Sequence, residues 1–222
     1  MDRQVLLDKL SEFLMVEQGG LQLYTVAAAR TANRTLKKRY EEFGKETAQH
    51  RQVLVQLIER LGGDPSYISP TARVAQFKGA KLLESSACLA GLSQAELEAN
   101  DLENVLLAET KDHADWELLA QLVEQVDNPA VKQALQAAVD QVEAQEDEHL
   151  TWARETLNQL SLQLLMTGPA PSPERWQQLI SAPEPPIEAV HPAPMQSKDG
   201  LLEPAGLPQW QDSTIVRAMR GT

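Results

Sequence analysis

Apolar residues recur at three- and four-residue steps along four long stretches of the chain, separated by short polar breaks. That period predicts amphipathic α-helices. The first runs from about Arg3 to Ala32 and the second from about Arg34 to Leu61. The third opens at Ser93 and ends near Val126; the fourth starts at Pro129 and reaches about Leu165. The breaks carry their own signals. Gly62-Gly63-Asp64-Pro65 is a strong helix terminator. Ser93 with Glu96 three positions on is a capping-box pattern. Asn128 followed by Pro129 places an N-cap and a first helical residue side by side. Residues 71 to 90 form a weaker helical segment, expected to cross over between the second and third long helices. The expected fold is all-α, a four-helix bundle with a crossover segment.

The apolar line of each helix is interrupted. In the first it reads Leu10, Phe13 or Leu14, Glu17, Leu21, Tyr24, Ala28. In the second it reads Phe43, Glu46, His50, Val53, Leu57, Leu61. In the third it reads Leu102, Leu106, Glu109, Asp112 or His113, Trp116, Leu119, Val123. In the fourth it reads Leu135, Val139, Val142, Glu146, His149, Ala153, Leu157, Leu160. Each helix thus carries a glutamate near the middle of its inward line, and two add a histidine one turn away.

An unpaired carboxylate in an apolar core costs several kcal/mol, and several at one level repel one another. A pair of divalent cations resolves the conflict, because four carboxylates neutralise two such ions and the imidazoles add neutral lone pairs. The expected metal ligands are Glu17, Glu46, His50, Glu109, Glu146 and His149. In the second helix Gln49 is the other candidate for the position of His50. Spacings of three and four residues put side chains at about −60° and +40° from alignment, so both share a face. The apolar line favours His50. Asp112 is a candidate extra carboxylate, and His113 reads as a neighbour of the site or a surface residue. Trp116 and Trp152 read as core or interface aromatics, and Glu42 and the Lys37-Lys38-Arg39 run as solvated.

The pattern of one glutamate from each of two helices and a Glu-plus-His pair from each of the others resembles the ferritin-like superfamily, over roughly residues 3 to 165. Glu146-Asp147-Glu148-His149 carries the match in the fourth helix. Tyr24, seven residues after Glu17, matches the tyrosine that lies next to the metals in ferritins and bacterioferritins. The "RLGGDPS" ending of the second helix and the acid-rich "AETKDHADWELL" look more like rubrerythrin relatives and small stress proteins of the YciE/YciF type. Rubredoxin-type cysteine motifs are lacking. His50, four residues after Glu46 rather than three, departs from the family spacing. The resemblance implies a ferritin-like oxidoreductase with two Fe ions, a ferroxidase or peroxidase using O2 or H2O2 and Fe(II), with Tyr24 as a catalytic residue supplying an electron or hydrogen bond. Two Mn ions and catalase-like dismutation of H2O2 are the alternative within the fold. A homo-oligomer is expected.

Composition adds a boundary and some exclusions. Only Pro65, Pro70 and Pro129 fall in residues 1–167, whereas the other ten of the 13 prolines fall in residues 168–222. The expected division is a helical domain over 1–167 and a Pro-rich, extended or disordered tail over 168–222. The formal net charge of −12 argues against nucleic acid, which asks for a basic footprint. No apolar run approaches a membrane span, and no signal core opens the sequence, so a cytoplasmic protein is expected. Cys88, the single cysteine, sits among apolar residues and reads as an inert buried thiol. The tail ends in "DSTIVRAMRGT", which resembles the short peptides that dock ferritin-like cargo in encapsulin shells. A structural or cargo protein working through residues 211–222 is therefore a third reading.

Overall fold

Each long helix begins where a short polar side chain takes up its first free N–H groups. The computed structural model describes residues 1–87 and 91–168, and among them are five α-helices and no strand. Asp2 caps α1 (Arg3–Arg30) and Asn33 caps α2 (Arg34–Arg60). α3 (Pro70–Ala87) follows. Ser93 and Glu96 form the expected capping box at the start of α4 (Gln94–Gln125). Asn128 caps α5 (Pro129–Thr167), with Pro129 in its first turn.

The boundaries differ from expectation by a few residues, with local causes. α1 stops at Arg30 because the Glu98 carboxylate accepts from Thr31 Oγ1 (2.7 Å) and the backbone N–H groups of Ala32 (2.9 Å) and Asn33 (3.2 Å). Those three residues become a pinned turn rather than the end of a helix. At the end of α2 the two glycines do different jobs. Gly62 has φ 73°, a left-handed conformation costly for other residues. Gly63 lies so close to its neighbours that a Cβ would stand 2.7 Å from Leu7 Cδ2 and 2.9 Å from Ile58 Cγ2. Arg3 donates to the carbonyls of Leu61 (2.8 and 3.0 Å) and Gly62 (2.7 Å), tying the start of α1 to the end of α2. Cys88, the Pro-rich stretch over 169–222 and the candidate docking residues 211–222 lie outside the described residues.

The apolar faces meet in two separate cores. One gathers Leu6, Leu10 and Phe13 of α1, Leu54, Leu57 and Ile58 of α2, Trp116 and Leu119 of α4, and Leu135 and Val139 of α5. The other gathers Leu23, Tyr24 and Ala27 of α1, Leu36, Tyr40 and Phe43 of α2, Leu102 and Val105 of α4, and Ala153 of α5. The start of α1 therefore packs with the end of α2, the end of α4 and the start of α5. So α1 runs with α5 and against α2 and α4, while α2 and α4 are parallel. The link between those parallel helices must travel the length of the bundle, and α3 does so, packed on α1 and α4. Gly19 and Gly79 let α1 and α3 approach closely; a Cβ on either would lie 3.6–3.7 Å from the other's Cα. No helix among the described residues is long and apolar enough to cross a membrane.

Between the two cores the bundle interior is polar. Glu17, His50, Glu109, Asp112, Glu146 and His149 fall between the two apolar groups along their helices, and none is more than 3% exposed. Helical phase puts them there. Each lies a whole number of three- or four-residue steps from apolar neighbours that are themselves buried.

Candidate metal centre

The interior polar groups form two triads that share one residue. Ligand atoms of His50, Glu146 and His149 all lie within 4.8 Å of one another, as do those of Glu17, Asp112 and Glu146. Two ligands of one ion, each about 2.1 Å from it, stand at most about 4.2 Å apart, so the observed spread needs only a small inward adjustment. Glu109 stands beside the shared region, its Oε2 3.5 Å from His149 Nδ1.

The imidazoles are held from behind. His149 Nε2 lies 2.8 Å from Glu46 Oε2, and His50 Nε2 lies 2.7 Å from Gln145 Oε1. Both partner atoms are acceptors, so each Nε2 is the donor and each Nδ1 faces the centre. His50 Nδ1 is 2.7 Å from Glu146 Oε1, yet the pair lacks hydrogen-bond geometry. Neither atom has a hydrogen-bond partner among the described residues, which is the demand a cation between them would meet. The rings are further fixed by packing. Phe43 lies 4.1 Å from His149 between centroids, and the two imidazoles stack at 5.5 Å. Trp116, edge-on to His50 at 6.4 Å between centroids, donates its Nε1–H to Glu17 Oε1 at 3.0 Å.

Many of the remaining polar atoms are orphans. Glu17 Oε2, His50 Nδ1, Glu109 Oε2, Asp112 Oδ1, both carboxylate oxygens of Glu146, and His149 Nδ1 are buried and make no hydrogen bond to any described residue. Native interiors hold few such atoms, and each costs on the order of 1–3 kcal/mol. Their electrostatics agree. Burial, and then the Glu146 charge, push the Glu17 carboxyl well above the usual range. Burial and then Glu17 do the same to Asp112. Burial also raises Glu109, partly offset by His149. Burial pulls His149 down, but Glu109 and Glu46 outweigh it and leave the imidazole raised. Tyr24 is buried against the His149 edge with ring centroids 6.1 Å apart, and its hydroxyl has no hydrogen-bond partner of ordinary geometry among the described residues. Burial and then Glu109 hold that phenol well above its ordinary pKa.

The structure thus brings Glu17, His50, Glu109, Glu146 and His149 to one level, with Tyr24 beside them. Gln49 is exposed, which leaves the inward position in α2 to His50. Glu46 is not where the apolar line predicted. Thr47, 1% exposed, occupies the buried level between Phe43 and His50, and the Glu46 side chain is 31% exposed at the edge, behind the ring of His149. Asp112 enters the centre, whereas His113 turns outward to Asp147 at 2.8 Å. The Glu109-to-Asp112 spacing repeats that of Glu146 to His149, and this repeat is the sequence signal for Asp112. Gln145 left no such signal, because nothing in a charged stretch distinguishes an amide that backs an imidazole. No known protein family, curated protein or solved structure matches the chain in comparison.

Proposed function

We propose that the chain is a di-metal carboxylate oxidoreductase of the ferritin-like kind, most simply a di-iron ferroxidase or peroxidase acting with O2 or H2O2. One observation carries the reading: two buried triads, sharing Glu146 and built from four helices, in which Glu17 Oε2, Asp112 Oδ1, both Glu146 oxygens and both Nδ1 atoms lack hydrogen-bond partners among the described residues. Glu17, His50, Glu109, Asp112, Glu146 and His149 would hold the ions, with Glu146 common to both positions. Four carboxylates against two divalent ions leave no net charge in the interior, and the mixed oxygen and nitrogen donors suit iron or manganese. Iron bound there supplies reversible one-electron oxidation, matched to an oxidant that accepts electrons.

The chain's own residues have separate roles. Glu46 and Gln145 hold the Nε2 protons and so keep both Nδ1 lone pairs turned inward, as partners behind metal-binding histidines commonly do. Trp116 orients Glu17 through its indole N–H. The two apolar cores exclude water from the level between them, which strengthens each charge interaction at the centre. Tyr24 remains a protonated phenol there, able to donate a hydrogen bond or a hydrogen atom to an acceptor at the centre.

Metal analysis of the purified protein beside Glu146→Ala and His149→Ala variants tests the reading. Two transition-metal ions per chain in the wild type and fewer than one in either variant are expected. Stopped-flow measurement of Fe(II)-dependent O2 and H2O2 consumption then separates ferroxidase from peroxidase. Manganese as the co-purifying metal, with H2O2 dismutation, would move the assignment to the catalase-like chemistry. Equal metal content in all three proteins would overturn the site itself.

A further inference from the structure

A second feature lies on the outside of the bundle, where α3 rides over α1 and α4. A groove of about 650 Å³ opens there, within the size range of small-molecule sites. Its lining is largely apolar, with Met15, Val16 and Leu23 of α1, Leu82 of α3 and Leu107 of α4. Val74, Phe77 and Leu107, all on its lining, are 54%, 59% and 53% exposed. Along α1 the lining runs from Lys9 to Leu23, about 20 Å at 1.5 Å per residue. The groove is therefore elongated, and the closeness of Gly19 to Gly79 shapes its lining.

The rim carries the opposite sign to the protein. Lys9, Lys78, Lys81 and Lys111 line the groove against a single acid, Glu12, in a chain of formal net charge −12. Glu12 takes up Lys9 at 2.8 Å and Lys111 at 3.4 Å, and Asp115 also engages Lys111. Lys81 meets Glu84, in a pair exposed on both sides and so weak. Lys78 has no acid beside it among the described residues. A second copy docked face to face would set these lysines against their own images. A neutral hydrocarbon would cover the apolar lining and leave the rim unpaired. An elongated apolar chain ending in an anion satisfies both, with its tail on the apolar lining of Val16, Leu82 and Leu107 and its head at Lys78.

We propose that this groove binds a long-chain carboxylate, a free fatty acid in chemical class, with Lys78 as its anchor. The proposal does not depend on the metal reading. Titration calorimetry of the full chain with palmitate, at a concentration below micelle formation, tests it. One palmitate per chain is expected, with hexadecanol binding about fivefold more weakly, the worth of one exposed charge pair at ~1 kcal/mol. Lys78→Glu should weaken palmitate by a similar factor. Phe77→Asp, at a position 59% exposed, should abolish it. Circular dichroism and metal content should be unchanged in both variants. Absence of palmitate binding, equal binding of hexadecanol, or binding indifferent to both variants would overturn the proposal. So would a wild-type dimer that Phe77→Asp converts to monomer, which would assign the face to a second copy.

Discussion

Replacing Glu146 with glutamine should reverse the sign of its effect on stability according to whether metal is present. The isosteric amide removes one charge from the point where both triads meet. Ligand atoms of Glu17 and Asp112 lie within 4.8 Å of Glu146. A unit-charge pair at that distance is worth about 3 kcal/mol at an effective dielectric near 20. Proton uptake by the raised carboxyls already relieves part of this repulsion in the wild type, so the gain in chelated protein should be about 2 kcal/mol. For a chain of this size that corresponds to a Tm rise of roughly 4–8 °C. With metal the order inverts. One ion at a hundred times its Kd adds about 2.7 kcal/mol. The wild type should gain this at both positions and the variant, lacking the shared ligand, at neither. Thermal melts by circular dichroism in chelator, and in excess Mn(II), read both effects. A chelated variant melting at or below the wild type, or equal metal-induced shifts in the two proteins, would refute the reasoning.

Metal-free protein should lose stability as pH rises. Glu17, Glu109 and Asp112 have carboxyls raised by burial, and His149 is raised by its acidic neighbours, so the folded state holds protons that the unfolded chain has released. Asp115, pushed up to about 6 from 3.8 by burial, contributes a loss across that window. Melts in chelator should fall from pH 5 to pH 8, and saturating Mn(II) should flatten the trend; a rise in chelator would count against it. Gly63→Ala should cost about 1–3 kcal/mol, because the methyl would press on Leu7 and Ile58, and urea unfolding should show a lower midpoint. Ser93→Ala removes the hydroxyl that accepts from Glu96 N at 3.3 Å, and about 1 kcal/mol should be lost, read as a Tm fall of roughly 2–4 °C.

Local chemistry decided much of this protein before any packing. Helix starts at Ser93 and Asn128 and the stop at Gly62-Gly63 follow from side chains and backbone conformations within a few residues, so they are legible in one dimension. So is the interruption of apolar lines by Glu17, Glu109, Glu146 and His149, since helical period alone puts them on the inward face. Phase within a face is another matter. From Phe43 a three-residue step reaches Glu46 and a four-residue step reaches Thr47, and both lie inside one apolar stripe. Only the packing of α2 against α1 and α5 turned Thr47 inward and left Glu46 to back His149. The same uncertainty of one residue joined Asp112 to His113 until α4 was packed. Tertiary structure alone brought Gln145 to His50, Trp116 to Glu17 and the two triads to a common glutamate. Those contacts join residues far apart in the chain, at distances that no periodicity encodes.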